Sequence, residues 1–200
     1  MNARIDTALE APAIAELLDR RRTVLPRHLV DPGPDMEQLE MILRAAASAP
    51  DHGELLPWRF VIVPFEARER LAQVFADSLL QRDACATADQ IEQARQKAFR
   101  APVLMLAVVN TGDPDIEVPA HERLISAGCA IQNILLMTTA LGFASALTSG
   151  KALAFEGLAQ LFCLSPEDRP VCFINIGTAS RTRAARRRPE PAQYVSFLSE

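Results

Sequence analysis

A stretch of twenty residues without a charge, from Leu124 to Phe143, constrains the fold of this chain more than any other feature. Its length is close to the about 20 residues that a helix needs to cross a bilayer. Gln132 and Asn133 lie at its middle, however, hydroxyl side chains occur on both sides of them, and no second such stretch exists. A helix that is apolar on nearly all sides is also typical of the centre of a folded domain. We therefore predict a long buried central helix and no membrane span.

The composition is that of a mildly acidic globular protein. Hydrophobic residues make up 49% of the 200 residues and charged residues 23%, and the formal net charge is −4 at pH 7. This balance argues against a general electrostatic affinity for nucleic acid or for an anionic membrane. Asp6, Glu10 and Glu16 interrupt the first segment, which therefore does not resemble a secretory signal. We expect one cytoplasmic domain over residues 1–200, with an extended C-terminal tail at 181–200.

Hydrophobic periodicity and punctuation by Pro and Gly predict an α+β fold, with four or five short strands and helices on both sides of the sheet. Asp35 and Gln38 match the capping box that begins a helix. Helices are expected at Ile14–Arg22, from Asp35 to before Pro50, at Ala67–Leu80, Ala88–Ala98, Pro119–Gly142 and Ala154–Leu161. Strands are expected at Arg59–Val63, Val103–Val109, Ala144–Leu147 and Val171–Ile176, with a loop at Pro26–Pro34.

Several common catalytic motifs are absent from the sequence. Neither GxGxxG nor GxxxxGK[ST] occurs, so the usual dinucleotide and phosphate loops are missing. His121-Glu122 begins like the zinc motif HExxH, but Ile125 stands where the second histidine belongs. No GxSxG is found, and the four cysteines have no metal-ligand spacing. Hydrolases and metalloenzymes are disfavoured, and we expect no metal site.

Four segments carry side chains suited to ligand binding. Arg21-Arg22-Thr23 follows the first predicted helix and offers guanidinium and hydroxyl donors to a phosphate, although cations at a helix C-terminus also offset its dipole. Ser48 to His52 follow the second helix, where small residues let a flat ligand approach. Thr148 and Ser149 end the third strand. The last segment holds Arg181, Arg183, Arg186, Arg187 and Arg188, which suit a phosphate clamp, an RNA contact or a solvated tail.

In their order along the chain, these pieces resemble the flavin-dependent nitroreductase family, and especially its short members. The shared pieces are RR[ST] after a short helix, the helix end and strand AP-x-H-x(4)-PW-x-F, the helix SAGCAIQNILLMTTALGF, and a strand that ends in IGT. The resemblance covers roughly residues 15–177. The order and spacing of the pieces carry the resemblance, since each piece alone is weak.

The resemblance implies a homodimer with a domain-swapped C-terminal tail and two FMN sites at the subunit interface. NAD(P)H would be a transient co-substrate, and hydride would pass by a ping-pong mechanism through the flavin to a small-molecule acceptor such as a nitroaromatic or a quinone. The flavin supplies the chemistry, so no side chain is expected to act as nucleophile or general base. The residues carried over as cofactor-binding are Arg21, Arg22, Thr23, Ser48, His52 (from the partner subunit), Leu147, Thr148, Ser149 and, near the phosphate, Arg188.

The sequence departs from the family pattern at the end of the third strand. Close members carry Trp-Arg-Ser where this chain has Leu147-Thr148-Ser149, so one aromatic ring and one cation are missing. Two other functions therefore stay open. One is a flavin carrier or sensor without turnover. The other is an interaction protein whose Arg181–Arg188 cluster binds an acidic partner or RNA, which a steep salt dependence of binding would reveal.

Overall fold

A five-stranded antiparallel sheet organises the fold in the computed structural model, which describes residues 7–112, 118–181 and 187–198. The strands are β1 (Leu29–Val30), β2 (Trp58–Ile62), β3 (Val103–Asn110), β4 (Ala144–Thr148) and β5 (Asp168–Ala179). β5 is the longest strand and pairs with β1, β3 and β4, while β2 pairs with β3. The α+β prediction is confirmed, and all strand pairs are antiparallel.

In the described ranges, six α-helices surround the sheet. They are α1 (Thr7–Arg20), α2 (Met36–Ala46), α3 (Arg68–Arg82), α4 (Ala88–Arg95), α5 (Ala120–Ala140) and α6 (Glu156–Leu161). The predicted helices are all present, with ends that differ by a few residues. The largest difference is at α1, which begins at Thr7 instead of Ile14 and ends at Arg20 instead of Arg22. Arg21, Arg22 and Thr23 consequently lie in the segment that follows the helix.

The core has two layers, one on each face of the sheet. β3 is buried along most of its length, as its uninterrupted apolar sequence predicts. On one face, Met105 and Ile174 pack with residues of α2 and α5. On the other face, Leu106 and Phe173 pack with residues of α3 and α6. Successive side chains of β3 and β5 therefore belong to different layers, as the period of a strand requires.

The ends of α2 and α5 follow local sequence rules. The Asp35 carboxylate accepts a hydrogen bond from the backbone N–H of Gln38 at 2.8 Å, and the Gln38 side chain accepts one from the N–H of Asp35, so the predicted capping box is confirmed. Pro119 is the N-cap of α5, one position earlier than its predicted place in the first turn. Gly142 ends the helix with a φ of 85°, which favours glycine.

α5 is buried on one face, which includes Ala130 and Ile134. The opposite face of its first half is exposed. Leu124 and Ile125 are 44% and 62% exposed, and a Cβ on Gly128 would meet no atom within 4 Å. The central position of α5 is therefore confirmed, but one apolar face is uncovered in the single chain. None of the helices in the described ranges combines the length and the apolar character that crossing a bilayer requires.

The loop predicted at Pro26–Pro34 contains the short strand β1, which the sequence did not indicate. Leu29 and Val30 pair with Ala179 and Thr178 at the end of β5. The close approach of β5 to Pro102 requires a glycine at position 177, because a Cβ on Gly177 would lie 2.7 Å from Cδ of Pro102. β1 was missed because its partner lies about 150 residues away in the chain, whereas its own two residues carry no period.

Candidate functional site

A cavity of about 550 Å³ opens between the end of α1, the middle of α5 and β4. Its volume lies in the range of small-molecule sites. Four of the predicted cofactor-binding residues line it: Arg21, Thr23, Leu147 and Arg188. The remaining lining residues are Leu18, Asp19, Gln132, Leu135, Ser145 and Ala146. The structure thus brings together side chains from the two ends and the middle of the chain in what we call the first cavity.

Backbone pairing holds the segment after α1 against β4. Thr23 forms an isolated parallel bridge with Ser145, and the N–H of Val24 donates to the carbonyl oxygen of Ser145 at 3.0 Å. Val24 is itself buried, which anchors the segment to the core. Successive side chains of an extended segment lie on opposite sides, so those of Arg21 and Thr23 share one side and both reach the first cavity.

Arginine side chains converge on the C-terminal end of α1. The Arg188 guanidinium donates to the carbonyl oxygens of Leu18 and Arg21, each at 3.4 Å. Arg22 donates to the same carbonyl of Arg21 at 3.1 Å and does not line the first cavity. Burial lowers the pKa of the Arg21 guanidinium, and the positive charges of Arg188 and Arg22 lower it further.

These three arginines form no ion pair with a carboxylate among the residues that the structure describes. Mutual repulsion and partial burial both cost free energy, and an anion in the cavity would offset both. The other wall is apolar, since Leu18, Leu135 and Leu147 contribute to it. The first cavity is therefore suited to a ligand with an anionic group and an apolar body.

Thr148 and Ser149 line a different cavity, of about 650 Å³, which we call the second cavity. It lies between α3, α4, the end of β4 and the middle of β5. Side chains of a strand alternate, so Leu147 faces the first cavity and Thr148 the second. The buried Asn175 amide donates to the Thr148 hydroxyl at 3.2 Å and to the carbonyl oxygen of Ala146 at 3.3 Å, which fixes this end of β4.

Ser48 and His52 line neither cavity. Ser48 is exposed in the turn after α2, and His52 donates from Nδ1 to Oε2 of Glu122 at 2.6 Å. Glu122 lies in the first turn of α5, ten residues before Gln132 of the first cavity. Ten residues of helix span about 15 Å. A ligand in the first cavity would therefore meet His52 of the same chain only across a long distance.

Sequence reasoning missed Gln132 and Ser145 as cavity residues. Gln132 carried a usable signal, because a polar side chain in the middle of an uncharged helix needs a polar partner or a cavity. Trp58 is partly buried against the α2 and α5 layer, and its indole N–H donates to Ser126 Oγ at 3.0 Å. Arg183 and Arg186 of the tail cluster lie outside the described residues, whereas Arg181 and Arg187 are exposed.

Comparison with known proteins identifies the family. Residues 18–178 match the model of the nitroreductase family. The chain is 33% identical over 185 residues to the "Putative NAD(P)H nitroreductase YdjA" of Escherichia coli K12, an alignment that covers 92% of this chain and 98% of that protein.

Solved structures agree on the fold. A nitroreductase-like family protein from Bacillus cereus superposes with a TM-score of 0.80 at 19% identity, over 99% of this chain and 98% of the other. A BluB-like flavoprotein from Clostridium difficile 630 superposes with a TM-score of 0.69 at 18% identity, over 93% and 99% of the two chains. The chain belongs to the nitroreductase family of oxidoreductases.

Proposed function

We propose that this protein is an NAD(P)H-dependent oxidoreductase that holds FMN in the first cavity and reduces electron-poor acceptors such as nitroaromatics and quinones. Family membership and the named Escherichia coli relative support the dependence on NAD(P)H. The flavin cofactor is supported by the BluB-like flavoprotein of the same fold. The observation that carries the proposal is that Arg21 and Arg188 line the first cavity and form no ion pair with a carboxylate in the described part of the chain, so that their charge favours an anion.

The residues of the first cavity fit FMN. Arg21 and Arg188 offer two guanidinium groups to a phosphate, and Thr23 adds a hydroxyl within the same wall. Gln132 offers an amide, which can donate to and accept from the polar edge of a ring. Leu135 and Leu147 supply apolar contact area for an aromatic body. A purely apolar ligand would leave the charges unmatched, and a free phosphate would leave the apolar wall exposed.

The reaction divides the work between cofactor and protein. When bound, FMN supplies the two-electron chemistry between NAD(P)H and the acceptor. For a nitro acceptor the balance is NAD(P)H, a proton and R–NO₂ to NAD(P)⁺, R–NO and water. Arg21 and Arg188 neutralise the phosphate, and the Thr23–Ser145 bridge holds the first of them in position. In a ping-pong cycle the nicotinamide leaves before the acceptor enters, so one binding surface serves both in turn.

We propose that the working unit is a homodimer. Ser48 and His52 belong to the predicted site but do not line the first cavity of their own chain, so a second copy would have to supply them. The apolar face of α5 formed by Leu124, Ile125 and Gly128 is available to such a copy. Phe197 and Leu198 of the tail are almost fully exposed in the single chain, and a domain-swapped tail would bury these apolar side chains against the second copy.

The test is an FMN titration followed by visible absorption, with NADPH added afterwards. Arg21→Gln removes one charge-assisted contact, so FMN binding should weaken by about 10- to 150-fold. Arg20→Gln is the matched control, since Arg20 is the preceding residue, pairs with Glu16 and does not line the cavity. Thr23→Val removes one hydroxyl donor to the anionic phosphate and should weaken binding by about tenfold or more.

Bound flavin that bleaches on addition of NADPH supports the proposal. A protein that does not bind FMN contradicts it, and so does an Arg21→Gln variant with unchanged flavin affinity. Thermal denaturation of each variant separates loss of the site from loss of the fold, because Arg21 and Thr23 are expected to affect cofactor affinity more than stability.

A further inference from the structure

Asn175 is a polar side chain in an otherwise apolar part of β5. Residues 171–176 have the sequence V-C-F-I-N-I, and Asn175 is only 2% exposed among them. A buried amide costs free energy unless its polar atoms form hydrogen bonds. An aliphatic side chain at this position would continue the apolar sequence of the strand without that cost. The contacts of the amide therefore indicate what Asn175 contributes.

The amide of Asn175 binds two neighbouring points at the end of β4. Its Nδ2 donates to the carbonyl oxygen of Ala146 at 3.3 Å and to the hydroxyl oxygen of Thr148 at 3.2 Å. These two acceptors lie on either side of Leu147 in the chain, and Leu147 itself is paired with Ile174 of β5. Asn175 therefore holds the residue before and the residue after Leu147.

The end of β4 has few other attachments. On the edge that does not pair with β5, β4 meets the segment after α1 through the bridge between Thr23 and Ser145. Within the described ranges, no bridge joins this edge beyond Ser145, so residues 146–148 have a strand neighbour on one side only. Segments with few attachments open locally at a low cost in free energy. The two hydrogen bonds of Asn175 reinforce the strand where it would open most easily.

Leu147 connects this attachment to the cofactor site, because its side chain lines the first cavity. It is 43% exposed, so it has apolar area left to bury against a ligand. If the end of β4 were loose, FMN would have to order it on binding, and that ordering would lower the affinity. A strand end that is already fixed presents Leu147 to the ligand without this cost.

We propose that Asn175 is a positioning residue of the FMN site, which acts through the backbone of β4 to hold Leu147 in the wall of the first cavity. This inference rests on the proposed function and deepens it. Asn175 does not line the first cavity, and it lies on the opposite face of the sheet, where it lines the second. Its effect on FMN must therefore pass through β4, unlike that of a residue that touches the cofactor.

The experiment is a double-mutant cycle on the Kd of FMN, measured by titration of the flavin absorption. Leu147→Ala removes apolar contact area and should weaken FMN binding by about 5- to 30-fold. Asn175→Leu removes both hydrogen bonds at similar side-chain size and should weaken binding by a similar factor, because it releases the same contact. The double variant should bind FMN at most about twofold more weakly than the weaker single variant. A merely structural role of Asn175 would not produce this loss of additivity.

The matched control is Val108→Ala. Val108 is buried in β3 in the same layer as Phe173 and lines neither cavity. Its truncation should lower Tm and leave the Kd of FMN unchanged, and its effect should add to that of Leu147→Ala. Thermal denaturation verifies that each variant is folded. If Asn175→Leu does not fold, Thr148→Val removes one of the two hydrogen bonds and should weaken FMN binding by about twofold or more in the same cycle.

The outcomes separate this inference from the proposed function. An Asn175→Leu protein with the wild-type Kd for FMN overturns the inference and leaves the proposed function intact. Fully additive effects of Asn175→Leu and Leu147→Ala do the same, because Asn175 would then not act through Leu147. An equal loss of affinity in Val108→Ala assigns the effect to stability and also overturns the inference. If the wild type does not bind FMN, the proposed function fails and the role of Asn175 fails with it.

Discussion

Arg68 offers a sharp test of how the fold is held together. It begins α3 and is only 4% exposed. Its Nη1 donates to the carbonyl oxygen of Ala101 at 2.5 Å and its Nη2 to that of Pro102 at 2.7 Å. Burial lowers the pKa of this guanidinium, although Asp31 acts in the opposite direction. The side chain therefore connects α3 to the chain just before β3, beside the Gly177 contact with Pro102.

The substitution Arg68→Met keeps the apolar stem and removes both hydrogen bonds. Each bond to a charged donor contributes about 1.5–3 kcal/mol, so the gross loss is about 3–6 kcal/mol. The guanidinium Nε is buried without a partner in the described structure, and its removal recovers part of that cost. We expect a net loss of about 3 kcal/mol in the free energy of unfolding, or about 6–12 °C in Tm for a chain of this size.

The assay is urea and thermal denaturation followed by circular dichroism, at one fixed protein concentration so that association does not alter Tm. Arg68→Lys keeps the positive charge and can make one of the two hydrogen bonds, so its free energy of unfolding should fall by about half as much as that of Arg68→Met. Arg70→Met changes an exposed residue two positions along the same helix and should stay within about 0.5 kcal/mol of the wild type. An Arg68→Met protein as stable as the wild type would refute the reasoning, as would equal losses in the Arg68 and Arg70 variants.

Two further predictions concern pH and assembly. Burial opposes ionisation of Asp168, but hydrogen bonds from the N–H of Ser165 and from Arg59 outweigh it, so its pKa is lowered. The stabilising effect of the ionised carboxylate is therefore present above about pH 5 and is lost as pH falls through the lowered pKa. In urea titrations at decreasing pH, the difference in unfolding free energy between the wild type and Asp168→Asn should shrink. A difference that stays constant with pH would contradict this. Ile125→Glu should convert the proposed homodimer to a folded monomer in sedimentation experiments, whereas Phe65→Glu, at an apolar residue exposed on another part of the surface, should not; a dimeric Ile125→Glu protein would exclude the α5 interface.

Features that depend on neighbouring residues could be predicted from the sequence. The capping box of Asp35 and Gln38 and the positive φ of Gly142 both follow from contacts within one turn. The ends of α1 could not be predicted in the same way, because its apolar residues form a weak pattern and much of its surface is exposed. β1 depends on pairing with the far end of β5, and no local pattern encodes that partner.

The resemblance indicated some of the side chains that line the first cavity, but not which of the predicted residues lie together. The resemblance supplied Arg21, Thr23, Leu147 and Arg188, and the structure brings these four together. It separates Thr148 and Ser149 from them, because alternation along β4 directs consecutive side chains to opposite faces. The cationic side chains that line the second cavity had no sequence signal, since Arg82, Lys97 and Lys151 are distributed along the chain and come to one cavity only through the packing of α3 and α4 against the sheet.

The alternation at the end of β4 has a consequence for how this protein can change over evolutionary time. Leu147 and Thr148 are adjacent in the chain but belong to separate cavities. A substitution at position 147 would change the lining of the first cavity, and one at position 148 that of the second. A deletion of one residue in β4 would have the opposite result, because it would exchange the two side chains between the cavities and alter both properties at once. Point substitutions at these two positions can therefore change one cavity lining at a time, whereas a change in the length of β4 alters both linings together.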